Sequence, residues 1–216
     1  LVEGWSFFQR DLGEFIEILP ASQRTTGDWY KGTADAIYQN LDIVRTFMPK
    51  YVLVLSGDHV YKMDYARFRA YHEEKGADIT VSVIEVPLSE AYRFGMVEVA
   101  ADYRISGFKE KPATAAAMPD DPRYALASMG VYMFKTEVLI ELLKATEEND
   151  FGRDIIPSII KSHLVRAFPF RDKNTGTGYY WRDVGTVDAF WSANLELVEV
   201  TPELSLYDNS WPIWTY

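Results

Sequence analysis

The sequence predicts an α/β fold: a twisted, mostly parallel mixed sheet with helices on both faces. Three observations carry that expectation. Strand-length apolar runs alternate with segments of helical periodicity. Tyr51-Val-Leu-Val-Leu55 is apolar at every position, as a strand covered on both faces is. The 216 residues are 48% hydrophobic and 25% charged, a balance that suits one sizeable core.

Taken in order, Glu14 to Leu19 reads as a first strand, followed by a polar loop through Asp28. Thr33 can cap a helix whose apolar positions Ile37, Leu41, Val44 and Met48 recur every three to four residues, and Pro49 ends it. After the Tyr51–Leu55 strand, Ser56-Gly-Asp-His59 turns the chain out of the sheet. A helix from Asp64 to Lys75 sets Tyr65, Phe68 and Tyr71 on one face, and Gly76 stops it. Asp78 to Val86 is a strand ended at Pro87. Gly95–Val99 and Arg104–Lys109 form an edge hairpin about Ala101-Asp-Tyr103.

Pro112 to Pro122 is a loop, and Ser128 to Phe134 an apolar strand. Thr136 then caps a helix with Val138, Leu139, Leu142 and Leu143 inward. A short helix over Asp154–Ser162 takes Pro157 in its first turn. Leu164–Phe170 is a strand, Lys173–Gly178 a flexible loop and Tyr180–Asp183 extended chain. Thr186 caps a final helix through Val198.

The charge excludes some classes of partner. Lys and Arg number 22 against 32 Asp and Glu, a net −10 that repels phosphate polymers and anionic lipid, so neither nucleic acid nor a membrane is expected. With no cysteine there is no disulfide scaffold, thiol nucleophile or thiolate metal site, which suits a reducing cytoplasm. Three scattered histidines suggest no His-rich metal site. The chain opens on Leu1 and closes on apolar Trp211–Tyr216, and it is expected to be an interior piece of a longer protein.

Ligands of open α/β sheets sit past the carboxyl ends of the strands, so carboxylates and glycines there carry most information. Leu55-Ser-Gly-Asp58-His59 delivers a carboxylate beside a glycine at such an end. The oxygen suits a hard divalent ion, or it closes a turn. Asp183, before Gly185 and the Thr186 cap, can complete that metal site or pair locally with Arg182. In Phe108-Lys-Glu-Lys111-Pro112, strand alternation sets Glu110 opposite Lys109 and Lys111. A carboxylate and an ammonium then address different parts of one ligand, or the stretch is a solvated edge. Trp29-Tyr-Lys-Gly-Thr-Ala-Asp-Ala36 opens a helix with free amides and little bulk, which suits a base or phosphate or an ordinary capped helix. Ala127–Tyr132 and Asn149–Asp154 add weight. No Ser-His-Asp triad, Walker loop or kinase signature is present.

Together WYKGTADA, SGDHVYKMDY, FKEKP, ASMGVYMF, NDFGRDIIP, YYWRDVGT and SWPIWTY stand in the order seen in bacterial glucose-1-phosphate adenylyltransferases, and the chain resembles that family from about Gly4 to Tyr216. The resemblance implies a Rossmann-like nucleotidyltransferase domain joining ATP to α-D-glucose 1-phosphate, with release of pyrophosphate, for glycogen synthesis. It matches Asp58 and Asp183 to the aspartates that bind Mg²⁺, and Lys111 to the lysine on the sugar phosphate. Glu110 matches the residue on the glucose hydroxyls. Gly95, Ser128, Tyr132, Asp150 and Phe151 match the sugar pocket, Tyr30 the substrate site, and Gly32, Thr33 and Ala34 the stretch beside the nucleotide. It further implies an allosteric, cytoplasmic homotetramer. The family's amino-terminal glycine-rich loop and carboxyl-terminal β-helix domain are expected to lie outside residues 1–216, and those residues alone are expected to be inactive. Another sugar-nucleotide pyrophosphorylase, or a non-catalytic subunit that binds sugar phosphate, is the alternative reading.

Overall fold

The computed structural model describes residues 13–19, 29–146, 148–172 and 178–213. The chain divides into two units, Tyr30–Trp181 and Leu1–Trp29 with Arg182–Tyr216. In the larger unit the order is α1 (Thr33–Tyr38), α2 (Leu41–Phe47), β1 (Tyr51–Val54), β2 (His59–Tyr61), α3 (Tyr65–Glu74) and β3 (Ile79–Pro87). A 3₁₀ turn (Leu88–Arg93) leads to β4 (Gly95–Val99), β5 (Ile105–Glu110) and β6 (Tyr124–Lys135). After these come α4 (Thr136–Ala145), a π turn (Phe151–Ile155), α5 (Ile156–Ile159) and β7 (Val165–Pro169). β8 (Trp181–Asp183) follows, and α6 (Val187–Leu197) belongs to the smaller unit.

β6 is the axis of the sheet, whose order is β5-β4-β6-β3-β7. It runs antiparallel to β3, and it also takes β4 at Leu126–Ala127 and β1 at Tyr132–Lys135. Leu126, Tyr132 and Phe134 enter one core with Leu139, Leu142 and Leu143 of α4 and Ile156 and Ile159 of α5. Met129, Val131 and Met133 enter a second with Phe68 of α3, Phe170 and Trp181. Alternate residues of one strand thus feed opposite faces, and helices cover both. Full burial of each large side chain, such as Phe134 or Leu139, contributes roughly 1.5–3 kcal/mol.

The α/β class and the mixed sheet hold. The sheet is less parallel than expected: among the described ladders β3·β7 is parallel and the others are antiparallel. Short bends such as 100–104 can join only antiparallel strands, whereas the parallel pair β3 and β7 is separated by the whole stretch from β4 through α5.

α3 follows its local code closely. Asp64 accepts from the amides of Ala66 and Arg67, at 2.9 and 3.3 Å. At the other end Gly76, at φ 59°, lets Ala77 N donate to His72 O and Gly76 N to Glu73 O.

Elsewhere longer-range contacts override the local pattern. No strand forms at 14–19, where Ile18 is 57% exposed and no ladder partner stands among the described residues. The single helix expected after Thr33 breaks at Asn40, whose side-chain amide donates to Ala36 O and to Tyr30 Oη instead of leaving the backbone to continue. Thr33 and Thr136 are first helical residues rather than caps, and the Thr136 hydroxyl bonds Pro49 O. Met48, at φ 39°, ends α2. β1 is only half-buried, with Leu55 exposed. The Asp154–Ser162 helix is a π turn followed by four α-helical residues, with Pro157 in the first turn as expected. The loops expected at 20–28 and 173–177 lie outside the described residues.

Candidate functional site

Most residues proposed for a sugar phosphate come together in the larger unit, at the start of β4, the end of β5, the middle of β6 and the π turn. Gly95 and Glu110 are paired across the β4·β5 ladder. A Cβ on Gly95 would stand 2.9 Å from Glu110 Oε2 and 3.0 Å from the Phe108 ring, so the glycine leaves the carboxylate its place. Burial pushes the Glu110 carboxyl up; Lys111 opposes that shift and Asp150 adds to it.

Strand alternation fails at Lys111. Its backbone takes φ 43°, an uncommon conformation for a side-chain-bearing residue, with its amide on Phe94 O at 3.0 Å. The turn brings Lys111 Nζ within 3.9 Å of Glu110 Oε1 instead of setting it on the opposite face. Lys109 does point away, to Glu98 at 2.8 Å. Carboxylate and ammonium therefore address one neighbourhood, with the Lys111 head largely in solvent.

β6 and the π turn supply the rest of this cluster. Ser128 Oγ donates to Tyr132 Oη at 3.5 Å, and burial pushes the Tyr132 hydroxyl up to about 12. Tyr132 stays a neutral donor and acceptor at physiological pH. Phe151, fully buried, packs its ring 5.9 Å from that of Tyr132. Asp150 caps the turn, its Oδ1 accepting from Arg153 N at 2.8 Å. Gly152, inside the Asn149–Asp154 stretch but not itself among the candidate residues, has Tyr132 Oη 3.4 Å from where its Cβ would stand.

The Gly32–Ala34 stretch joins this cluster directly. Ala34 N donates to Asn149 O at 2.9 Å, and Phe151 N lies 3.5 Å from Thr33 Oγ1. A Cβ on Gly32 would fall 2.3 Å from Asn149 O, so only glycine permits the approach. Tyr30 stands behind it, its hydroxyl accepting from Asn40.

Asp58 lies in the turn between β1 and β2. Its exposed carboxylate accepts from Ser56 Oγ at 2.7 Å, and that bond holds its carboxyl below the usual range. The His59 ring sits beside it, Nε2 at 3.6 Å from Oδ1, edge-on to Trp181 with centroids 5.0 Å apart. Asp183 closes β8 in the other unit. Its Oδ1 accepts from Gly185 N at 2.8 Å, and Thr186 Oγ1 accepts from Ala189 N at the start of α6. Arg182 engages Glu196 at 2.8 Å and Glu203 at 3.5 Å, so its salt bridges run to α6 and the segment beyond rather than to the neighbouring Asp183.

Among the described residues no helix is long and apolar enough to cross a membrane. Residues 5–200 match the family model described as nucleotidyl transferase. The whole chain is 57% identical to "Glucose-1-phosphate adenylyltransferase 2" of Pseudoalteromonas atlantica, covering 53% of that protein. It is 59% identical to the glucose-1-phosphate adenylyltransferase of Teredinibacter turnerae, again over 53% of the relative, and 56% identical to that of Alteromonas mediterranea, over 51%. The chain spans about half the length of the curated relatives it matches. With a family model covering nearly all of its residues, this chain belongs to the nucleotidyl transferase family.

Proposed function

We propose that this chain carries the nucleotidyl-transfer centre of a protein that joins ATP to α-D-glucose 1-phosphate, giving ADP-glucose and pyrophosphate. The observation that carries the reading is the convergence of Gly95, Glu110, Lys111, Ser128, Tyr132, Asp150 and Phe151 on one wall, joined by hydrogen bonds to Thr33 and Ala34. A polyhydroxylated sugar needs such acceptors and donors, with buried Phe151 backing Tyr132 rather than meeting the ligand, and its phosphate needs one cation nearby.

In this reading Glu110 and Asp150 accept from sugar hydroxyls, and Lys111 holds and screens the phosphate. The attacking phosphate oxygen is already ionised, so no general base is required; positioning and charge neutralisation lower the barrier. The resemblance gives the Gly32–Ala34 stretch to the nucleotide, although the Ala34 amide, expected to be free, is taken by Asn149 O. Asp58 and Asp183 offer exposed carboxylate oxygens, the hard donors that suit Mg²⁺, and we assign them to it. When bound, that ion neutralises nucleotide phosphate charge. The resemblance extends the proposal to an allosteric, cytoplasmic homotetramer that serves glycogen synthesis.

The test is substrate competition on the full protein containing this chain. ATP with glucose 1-phosphate should release pyrophosphate fastest, and other nucleotides or sugar phosphates should compete poorly. A preference for another pair would move the protein to a different pyrophosphorylase specificity. Binding of sugar phosphate without turnover would make it a regulatory subunit.

A further inference from the structure

β6 is not a regular strand. Its partners on β3 step from Val81 to Val83, while β6 itself advances from Tyr132 back to Ser128, four positions against two. The additional residues form a bulge at Met129–Val131, and Gly130 takes φ 67° there. That conformation favours glycine, and the space around it does too. A Cβ on Gly130 would stand 3.2 Å from His59 Cε1 and 3.5 Å from Ser56 Cβ.

The bulge touches both halves of the candidate site. On the sugar side Gly130 N donates to Ser128 Oγ at 3.3 Å, and Ser128 in turn bonds Tyr132. On the other side the His59 ring lies against the glycine, with its Nε2 3.6 Å from Asp58 Oδ1. His59 Nδ1 is buried with no hydrogen-bond partner among the described residues, so packing rather than bonding holds that ring atom. Ser56, the other neighbour of Gly130, donates to Asp58 at 2.7 Å.

We propose that Gly130 is a positioning residue: its bulge seats His59 and Ser56, and through them sets Asp58 in register with the Ser128–Tyr132 sugar wall. The inference rests on the proposed nucleotidyl-transfer function. A side chain at this position displaces the Asp58 turn from the sugar wall, and a 1 Å misplacement of reacting groups is costly to rate.

Two variants of the full protein separate positioning from backbone strain. Gly130→Ala adds a Cβ and an unfavourable φ; Gly130→Asn adds the Cβ with a residue that adopts the left-handed region readily. We expect kcat to fall tenfold or more in both, with the melting temperature of Gly130→Asn nearer to that of the unaltered protein. Recovery of kcat alongside thermal stability in Gly130→Asn would overturn the inference and leave strain as the cause. The His59 Cε1–H resonance reports the contact whatever the protein turns over, and it should move in both variants. An unmoved resonance overturns the inference even if the functional reading also fails. If the unaltered protein makes no sugar nucleotide while the resonance moves, only the functional reading falls.

Discussion

His72 shows how far one buried side chain can depart from its ordinary chemistry. It sits on α3 with 1% exposure, its Nδ1 2.7 Å from Thr80 Oγ1 and its ring edge-on to Tyr51. Burial, aided by Lys135, pushes its pKa down to about 4, against weaker opposing effects from Asp78 and Glu73. The folded protein therefore keeps His72 neutral, whereas the unfolded chain takes a proton below about 6.5. The sign follows: this stability is present above pH 6.5 and is lost as pH falls toward 4. Denaturant titrations should show a loss of about 2 kcal/mol between pH 7 and pH 5, largely abolished in His72→Gln. Equal slopes in both proteins would place the acid sensitivity elsewhere. Helical spacing sets His72 on the face of Tyr65 and Phe68, but no local signal shows that Thr80 meets its ring there. Lys111 was misread for a related reason: alternation assumes regular backbone, and φ 43° breaks it at the residue that matters.

At the scale of elements, local signals succeeded where both ends of a segment carry their own chemistry. α3 has Asp64 before it and Gly76 after it, and both act as that code requires. Asp64→Ala should remove two accepted amide bonds and cost about 1 kcal/mol, read as a lower melting temperature with unchanged substrate specificity. No loss of stability would show that tertiary packing alone holds the helix start. Where an element depends on distant partners, the local pattern was insufficient. A continuous helix after Thr33 was reasonable by periodicity, but Asn40 spends its amide on Ala36 and Tyr30. The bulge in β6 was invisible because it arises from unequal steps on β3 and β6, which no single segment encodes. The residues that converge on the candidate wall were picked out chiefly through family resemblance; their individual spacing left bland readings open.

At the scale of the whole molecule, Asp58 belongs to one unit and Asp183 to the other. On the proposed assignment of both to Mg²⁺, removing either removes the same interactions, so the losses should be strongly non-additive. Asp58→Asn and Asp183→Asn in the full protein should each lower kcat heavily while sparing glucose 1-phosphate binding. The double variant should be little worse than the poorer single one. Effects that multiply, with unaltered magnesium dependence in either single variant, would separate the two aspartates.

The central claim is that the wall of β4, β5, β6 and the π turn takes glucose 1-phosphate, with Lys111 on its phosphate. Lys111→Ala in the full protein tests it most directly, by steady-state KM for both substrates. Loss of one charge-assisted contact should raise KM for glucose 1-phosphate roughly ten- to a hundredfold and leave KM for ATP nearly unchanged. An equal rise for both substrates, or a rise for ATP alone, would contradict the assignment of that wall to the sugar phosphate.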